Sequence, residues 1–477
     1  MLFNSYEYLI YFLPLSLAAF FLLGRVRASF AVGALVAASL FFYGWWNPRY
    51  LPLILGSIGF NFAVGALLRR AQASGGHEAW RGALLAFGVG ANLALLALFK
   101  YADFAVANAR AITGLPLALP HIVLPLGISF FTFTQIAYLV DVHRGRAKEP
   151  SLLNYALFVS FFPHLLAGPI IHHSEMMPQF ASRSNKRPQP SQLAAGLFLL
   201  AIGMVKKVCI ADPLAPVVAA GFDHPQSLSA LAAWLAVLAY TLEIYFDFSG
   251  YTDMALGAAR MFNIRLPVNF DSPYRSTGIR EFWRRWHMTL SRFLREYLYI
   301  PLGGNRGGRM RTARNVLVTF LLGGLWHGAA WTFVVWGALH GIALVVERAW
   351  ERTGMRLPRA LAWGVTFLFV MIAWVFFRAS SLAAAGAMLA AMLGRNGGGE
   401  PWRDALAHLL APDAQTSLAV SVAALAVGLA VLALQRNSNA LVESFRPTWP
   451  RGAAVAVGLV WSVLQLGKVT PFLYFNF

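Results

Sequence analysis

One histidine lies where a titratable side chain is costly, inside a long apolar stretch of the sequence. His327 occupies Leu325-Trp326-His327-Gly328, within the apolar run 316–346. A polar side chain at membrane depth carries a desolvation cost, so it is first considered as functional. Because an imidazole titrates near neutral pH, His327 can act as a general base on a hydroxyl that attacks a thioester carbonyl. The alternative is a structural histidine that bonds a backbone carbonyl freed by a helix break.

The segment 260–314, just before this run, is the most basic part of the chain. It holds twelve arginines, no lysine and three acids. Cationic and aromatic residues alternate at 282–287 and 293–297, a pattern typical of amphipathic helices at an inner membrane surface. Arginine also binds phosphates through paired hydrogen bonds. One interpretation is that the segment orients the chain, with its basic residues on the cytoplasmic side in contact with anionic lipid. The other is that it forms a docking face for a phosphate-bearing donor such as coenzyme A.

Several residues around this segment are candidates for contact with the donor. His287 either orients the donor or assists His327; the alternative is an interfacial histidine. The loop 301–308 contains glycine pairs that permit close backbone approach to an anion, but it lacks the Lys-Ser/Thr ending of a nucleotide-binding P-loop. The residues expected to bind the donor are Arg284, Arg285, Trp286, Asn305 and Trp326.

Two carboxylates, Asp247 and Asp253, end an apolar helix. Each either fixes a histidine tautomer or pairs with an arginine of the basic segment, and structural pairing is the favoured role. The histidines at 164, 172 and 173 raise the question of a metal. No acid completes a ligand set at a familiar spacing, so we expect neither a metal site nor a bound cofactor.

The composition is that of an integral membrane protein. Of 477 residues, 58% are hydrophobic and 12% are charged, whereas a soluble protein carries about a quarter charged residues. The net charge of +19 is therefore a topology signal, and no nucleic-acid partner is expected. The single cysteine, Cys209, excludes an intrachain disulfide.

Ten apolar runs are long enough to cross a bilayer. Basic residues fall in alternate loops, which predicts that those loops are cytoplasmic and that both termini are periplasmic. The residues 382–393 form either a helix lying on the membrane or a further half-crossing. The ten runs are 6–24, 29–46, 50–68, 82–99, 122–140, 191–210, 227–250, 361–377, 416–434 and 452–468.

Two further apolar runs have both flanks basic and are therefore expected to be re-entrant. The run 152–171 is interrupted by Pro163-His164 and Gly168-Pro169, and the run 316–346 by Gly323-Gly324 and by the residues around His327. Irregular backbone at membrane depth is tolerated where protein buries it or water reaches it. We therefore expect both runs to line one cavity open to the cytoplasm.

Seven motifs resemble those of the membrane-bound O-acyltransferase (MBOAT) family. They include Phe246-Asp247-Phe248-Ser249-Gly250-Tyr251 and Leu325-Trp326-His327-Gly328. The resemblance is strongest to bacterial members that O-acetylate exported polysaccharides such as alginate, and weaker to the teichoic acid D-alanine transferases. The other motifs are at 1–5, 125–133, 162–170, 281–291 and 299–305.

The resemblance implies a fold and a pair of active-site residues. His327 corresponds to the catalytic histidine of the family, and His287 to its supporting histidine. The fold expected is an all-α polytopic membrane protein, with a ring of transmembrane helices and re-entrant segments around a cytoplasmic funnel. A single domain is expected over 1–477, with core motifs at about 120–346 and a C-terminal helix and aromatic tail at about 452–477.

The resemblance also implies a donor, partners and a location. Acetyl-CoA or an acyl-carrier protein would supply the acyl group at a bacterial inner membrane, and periplasmic polysaccharide acetyltransferases would receive it. Tyr474, in the terminal aromatic motif, looks like the acyl acceptor of the D-alanine system; the alternative is a membrane anchor. D-alanyl transfer and non-catalytic acyl transport are the other functions considered. Transport is disfavoured because we expect neither paired halves nor a lysine or arginine at membrane depth.

Overall fold

The fold is built from helices alone in the part of the chain that the structure describes. That structure is a computed structural model, and it describes residues 1–75, 77–147, 149–396, 402–412, 416–434, 436–468 and 472–473. Of these residues, 77% are helical and none is in a strand. Since a bilayer core offers no water to the backbone, a helix satisfies its own N–H and C=O groups. The all-α membrane class is therefore confirmed.

Seven of the described helices are long and apolar enough to cross a membrane: α1, α3, α4, α9, α10, α14 and α15. In chain order the helices are α1 (Glu7–Val26), α2 (Ala28–Gly44), α3 (Pro48–Ala73), α4 (Glu78–Thr113), α5 (Ile128–His143), α6 (Leu152–Ser160), α7 (Phe162–Leu165), α8 (His173–Ala181), α9 (Pro190–Asp223), α10 (Ala230–Met261), α11 (Ile279–Arg285), α12 (Met288–Leu294), α13 (Gly308–His327), α14 (Trp331–Glu351), α15 (Arg359–Arg378), α16 (Leu382–Met392), α17 (Trp402–Leu410), α18 (Leu418–Leu434), α19 (Ser438–Glu443) and α20 (Trp449–Leu464).

Most of the ten predicted crossings coincide with a long helix, but some are shorter than expected. Helices α2 and α18 have 17 residues and α20 has 16, fewer than the about 20 residues that usually cross the hydrocarbon core of a bilayer. The run 122–140 is helical only from Ile128, because Gly127 before it takes a positive φ of 74°. The number of crossings therefore stays a prediction, as do the ring and the cytoplasmic funnel.

The two broken runs differ in where they break. The first is interrupted as predicted: α6 ends at Ser160 and the four-residue α7 follows. In the second, the predicted interruption at Gly323-Gly324 is wrong, because α13 continues through both glycines to His327. Gly324 is needed for helix packing instead, since a Cβ there would collide with the carbonyl oxygen of Phe333 on α14.

The chain groups into two compact units. The first comprises residues 1–200, 252–267 and 446–452, and the second comprises 201–251, 268–445 and 453–477. Both predicted catalytic histidines and Asp247 belong to the second unit, as do helices α11–α15. This grouping does not test whether the chain folds as a single domain.

Candidate active site

His327 is the last residue of α13. A three-residue connection, 328–330, which we call the strap, leads to the next helix. Gly328 and Ala330 are extended, and α14 begins at Trp331. A side chain at Gly328 would collide with the ring of Phe333. The strap therefore requires glycine directly after the histidine, and this contact fixes how the end of α13 meets the start of α14.

An aromatic cage surrounds the His327 ring, which is 3% exposed. The ring centroids of Trp326 and Trp336 lie 5.0 Å from it, and that of Phe377 lies 5.2 Å away. These rings hold the imidazole by packing and keep it away from solvent.

His287 lies between α11 and α12 and is fully buried, at 0% exposed. Its backbone has a positive φ of 42°, a strained conformation for a residue with a side chain. Asn269 holds it: the His287 Nδ1–Asn269 Oδ1 distance is 3.0 Å, and Met288 donates its N–H to the Asn269 carbonyl at 2.9 Å. Sequence reasoning missed Asn269, whose amide carries no recognisable spacing signal.

The hydrogen bonds of Asn269 determine the tautomer of His287. Its Oδ1 also accepts the backbone N–H of Thr289 at 3.2 Å and the hydroxyl of Thr289 at 2.9 Å. An atom that accepts a backbone N–H must be the amide oxygen, so His287 Nδ1 donates to it. In the neutral ring the proton is therefore on Nδ1, and Nε2 carries the lone pair.

The two histidines approach one tryptophan. The Trp326 ring lies 5.0 Å from His327 and 6.5 Å from His287, by centroid distance. The structure therefore brings together three of the predicted site residues, which lie up to 40 positions apart in sequence. Two imidazoles at one tryptophan could accept a proton from a hydroxyl and hold the reacting groups by hydrogen bonds.

Acid is expected to destabilise the fold through buried histidines. Burial lowers the pKa of His287 to about 3 and that of His164 to about 4, whereas an unfolded histidine has a pKa of about 6.5. Below that value the unfolded state binds more protons, so stability falls as the pH drops and is unaffected above it. Thermal unfolding in detergent between about pH 7 and about pH 5 measures this. The variant His164→Gln should flatten the pH dependence, and an unchanged slope would contradict the assignment.

His340, the third histidine of this region, has a structural environment. Its Nδ1 accepts the indole N–H of Trp283 at 3.2 Å, so the Trp283 indole, itself buried, donates to a buried acceptor. Its ring lies 4.9 Å from Trp336 and stacks on Phe282 at 6.1 Å. These contacts indicate a structural role for His340.

The alternating pattern of the basic segment suggested helices at a membrane surface. In the structure, part of the segment is buried. Arg284 is exposed, but Trp286 is 1% exposed and belongs to the core. The Trp286 ring stacks on Phe282 at 5.7 Å and lies 5.0 Å from Trp374. Trp286, directly after the end of α11, therefore packs into the core, where aromatic burial is favourable. Its contact with a donor stays a prediction.

Arg285 lines a cavity of about 600 Å³ together with three other arginines and two acids. Arg285 pairs with Glu281 at 2.8 Å and donates to the Asp271 carbonyl at 3.3 Å. Asn305 is exposed, and its Oδ1 accepts the Tyr299 hydroxyl at 2.6 Å and a guanidinium N–H of Arg348 at 2.9 Å. It is absent from the lining, as is Arg284. The charged side chains that line the cavity are those of Arg275, Arg285, Arg359, Arg436, Asp271 and Glu281.

Asp247 pairs with a lysine, not with a histidine or an arginine of the basic segment. The Nζ of Lys207 lies 2.6 Å from Asp247 Oδ1 and 2.6 Å from Asp212 Oδ1. The expectation of no lysine or arginine at membrane depth overlooked Lys206-Lys207, which lie inside the predicted run 191–210. Lys207 is buried in α9, a helix that is a candidate span.

The C-terminal tail reaches the same helix as Asp247. Leu473 donates its backbone N–H to Asp247 Oδ2 at 3.0 Å. The Phe472 ring is buried, stacks on Tyr251 at 4.3 Å and lies 5.7 Å from Phe248. Phe248 in turn packs edge-on against His287 at 4.9 Å. A single phenylalanine therefore contacts both the tail and a predicted catalytic residue.

Two other predicted site residues remain. Tyr474 lies outside the described residues. Asp253 is buried on α10 but belongs to the first unit, whereas Asp247 belongs to the second. Over the described ranges, no group of three or more His, Cys, Asp or Glu side chains could hold a metal ion.

Comparison with known proteins defines the class of this fold and site. The model of MBOAT, the membrane-bound O-acyltransferase family, matches residues 126–385, which include His287 and His327. The chain belongs to this family, as its motifs indicated. It is an acyltransferase and a multi-pass membrane protein.

Relatives over most of the chain are bacterial acetyltransferases. A peptidoglycan O-acetyltransferase of Helicobacter pylori is 42% identical over 524 residues, covering 100% of this chain and 98% of that protein. A probable alginate O-acetylase of Azotobacter vinelandii is 44% identical over 401 residues, covering 82% of this chain and 78% of that protein. A teichoic acid D-alanyltransferase of Streptococcus thermophilus is 29% identical over 280 residues, covering 53% of this chain and 68% of that protein.

Proposed function

We propose that the protein takes an acetyl group from acetyl-CoA at the cytoplasmic side and passes it across the bacterial inner membrane to O-acetylate an exported polysaccharide. The observation that carries this proposal is the position of the C-terminal tail. Phe472, two residues before Tyr474, is joined to His287 by the single side chain of Phe248. The O-acetyltransferase names of two relatives support acetyl as the acyl group.

The chemistry is a transfer of an acyl group from sulfur to oxygen. His327 accepts the proton of the Tyr474 hydroxyl while that oxygen attacks the thioester carbonyl. The carbon–sulfur bond then breaks, and the leaving thiolate of coenzyme A takes up the proton from His327. His287, neutral and with a lone pair on Nε2, orients the reacting groups by accepting a hydrogen bond. The acetyl ester on Tyr474 is then passed to a periplasmic acetyltransferase, which transfers it to a polysaccharide hydroxyl.

Purified protein in lipid nanodiscs tests the proposal directly. Acetyl-CoA labelled in the acetyl group is expected to release free coenzyme A thiol and leave label on the C-terminal peptide. Transport without chemistry would release no thiol and leave the peptide unlabelled. The latter result would contradict the proposed enzyme reaction and favour the transporter.

The arginine-lined cavity is suited to the phosphates of coenzyme A. Four guanidinium groups face two carboxylates there, and Glu281 is already paired with Arg285. The cavity therefore carries net positive charge, and arginine binds phosphate through paired hydrogen bonds. Among the arginines predicted from sequence to bind the donor, Arg285 supports this placement, whereas Arg284 is absent from the lining.

Loss of one cavity arginine is expected to weaken donor binding. Arg436→Gln should raise the KM for acetyl-CoA by about 10- to 100-fold, because a hydrogen bond to a charged group contributes about 1.5–3 kcal/mol. The kcat should change little. Arg280→Gln is the matched control, since Arg280 pairs with Glu351 at 2.8 Å and is absent from the cavity lining. Equal KM values for Arg436→Gln and the parent would exclude this cavity as the phosphate site.

The acceptor is proposed to be a cell-envelope polysaccharide, for which two relatives suggest different polymers. The Helicobacter relative is named for peptidoglycan, and the Azotobacter relative for alginate. Both termini are proposed to be periplasmic, which would place Tyr474 on the side of the acceptor. Ester-bound acetate should be measured separately in purified peptidoglycan and in exopolysaccharide from cells with and without the gene. If removal of the gene lowers ester-bound acetate in neither fraction, the acceptor is not one of these polysaccharides.

D-alanyl transfer is the second candidate reaction. The support is the D-alanyltransferase relative, which covers about half of this chain. In that case an acidic carrier protein would dock on the arginines in place of coenzyme A. Incubation with labelled acetyl-CoA, with and without a D-alanyl carrier protein, distinguishes the two donors.

A further inference from the structure

A buried carboxylate of α10 holds the C-terminal tail by its main chain. Asp247 is 0% exposed, and its Oδ2 accepts the backbone N–H of Leu473 at 3.0 Å. One turn along the same helix, the Tyr251 ring stacks on Phe472 with 19° between the ring planes. A main-chain hydrogen bond at Leu473 and a stacked ring at Phe472 together hold these two tail residues against α10.

Lys207 supplies the charge that this carboxylate needs in a buried position. Its ammonium lies 2.6 Å from one oxygen of Asp247 and 2.6 Å from one oxygen of Asp212. A buried carboxylate is costly unless it is paired and hydrogen-bonded. Lys207 binds Oδ1 of Asp247 and leaves Oδ2 to the tail, so each carboxylate oxygen has a separate partner.

We infer that Asp247, supported by Lys207, is a positioning residue that holds the C-terminal tail beside His287. The inference rests on the proposed function in that the tail carries the acyl acceptor. Phe248, the residue after Asp247, contacts His287 at 4.9 Å and Phe472 at 5.7 Å. Two consecutive residues of α10 therefore have linked roles: Asp247 binds the tail, and Phe248 contacts His287. A displacement of the tail would shift Phe248 and thereby change the packing around His287.

The anchor is tested by the accessibility of the tail, which does not depend on activity. In a Cys209→Ser background, Leu473→Cys keeps the backbone N–H and introduces the protein's single thiol. Asp247→Ala is expected to speed maleimide labelling of that thiol by at least about tenfold, because the lost hydrogen bond has a charged acceptor. Asp247→Asn should restore most of the protection, since an amide oxygen also accepts an N–H.

Asp212→Ala is the matched control within the same cluster. It removes a buried carboxylate at the same 2.6 Å distance from Lys207, and Asp212 is not the tail acceptor, so labelling should stay near the parent rate. Unfolding temperature and elution volume are recorded for every variant. The inference is overturned if Asp247→Ala leaves labelling unchanged, if Asp247→Asn labels as fast as Asp247→Ala, or if Asp212→Ala exposes the thiol equally.

Donor kinetics distinguish positioning from general structural damage. Asp247→Ala should lower the rate of acyl transfer to the tail by about tenfold or more, with the KM for acetyl-CoA unchanged, whereas a distorted fold would alter both. The Tyr474→Phe variant separates this inference from the proposed function. Tail protection that is normal in Tyr474→Phe, and lost in Asp247→Ala, would uphold the anchor even if Tyr474 proved not to be acylated.

Discussion

Replacement of His327 by alanine is expected to abolish polymer acetylation while the protein remains in the membrane at the parent level. The alanine has no group that can take the proton from an attacking hydroxyl. A positioned general base contributes about 10²- to 10⁴-fold to a rate, so the remaining turnover should be close to background. The measurements are ester-bound acetate in polymer from cells and thiol release by the purified variant.

Loss of packing must be separated from loss of the base, because His327 lies in a cage of aromatic rings. His327→Gln keeps much of the side-chain volume and offers no base of useful strength, so it should be equally inactive. His340→Gln is the matched control, since His340 is also buried and its Nδ1 accepts the Trp283 indole N–H. A glutamine oxygen can accept that hydrogen, and the variant should retain most of the activity. Polymer acetylation at the parent level in His327→Ala would exclude His327 as the base.

The membrane class and the positions of most long helices could be predicted because both depend on local composition. A run of apolar residues identifies a span whatever surrounds it. The break after His327 was harder to place, since glycine is compatible with a continuous helix. Gly323-Gly324 indicated an interruption, whereas the structure uses Gly324 for close packing of α13 against α14. Only the partner helix distinguishes these two roles of glycine.

The partners of the site residues could not be predicted, because they depend on contacts between distant segments. Asn269 meets His287 across 18 residues, and Asp247 meets Leu473 across 226. No periodicity or spacing carries that information. Trp286 shows the same limit in a local pattern: arginine and aromatic residues alternate along α11, but the tertiary core decides which of them are buried.

Lys207 could have been predicted, and its position changes the comparison with transporters. A lysine within an apolar run is a functional or paired residue by default. The structure pairs it with Asp247 and Asp212 at 2.6 Å each. Two carboxylates therefore offset its charge, and one of them contacts the tail. Because Lys207 is buried, the expected absence of such a lysine no longer speaks against a transporter. Membership of the acyltransferase family does.

Replacement of Tyr474 by phenylalanine is expected to stop polymer acetylation and to leave the C-terminal peptide without acyl label. The change removes one oxygen and keeps the aromatic ring, so an anchoring role would be preserved while an acceptor role would be lost. Without the acceptor, thioester cleavage should fall to the rate of hydrolysis by water. Mass spectrometry of the C-terminal peptide after incubation with acetyl-CoA measures the first effect, and thiol release measures the second.

Tail placement must remain intact for this result to identify the acceptor. Leu473 binds Asp247 through its backbone N–H, and Phe472 packs on Tyr251, so neither contact involves the tyrosine hydroxyl. A Tyr474→Phe variant with a normally protected tail and no polymer acetate would show that the hydroxyl itself is required. If the same variant acetylates polymer at the parent rate, the acetyl group is transferred without Tyr474. The acceptor hydroxyl activated by His327 would then belong to a partner or to the polymer.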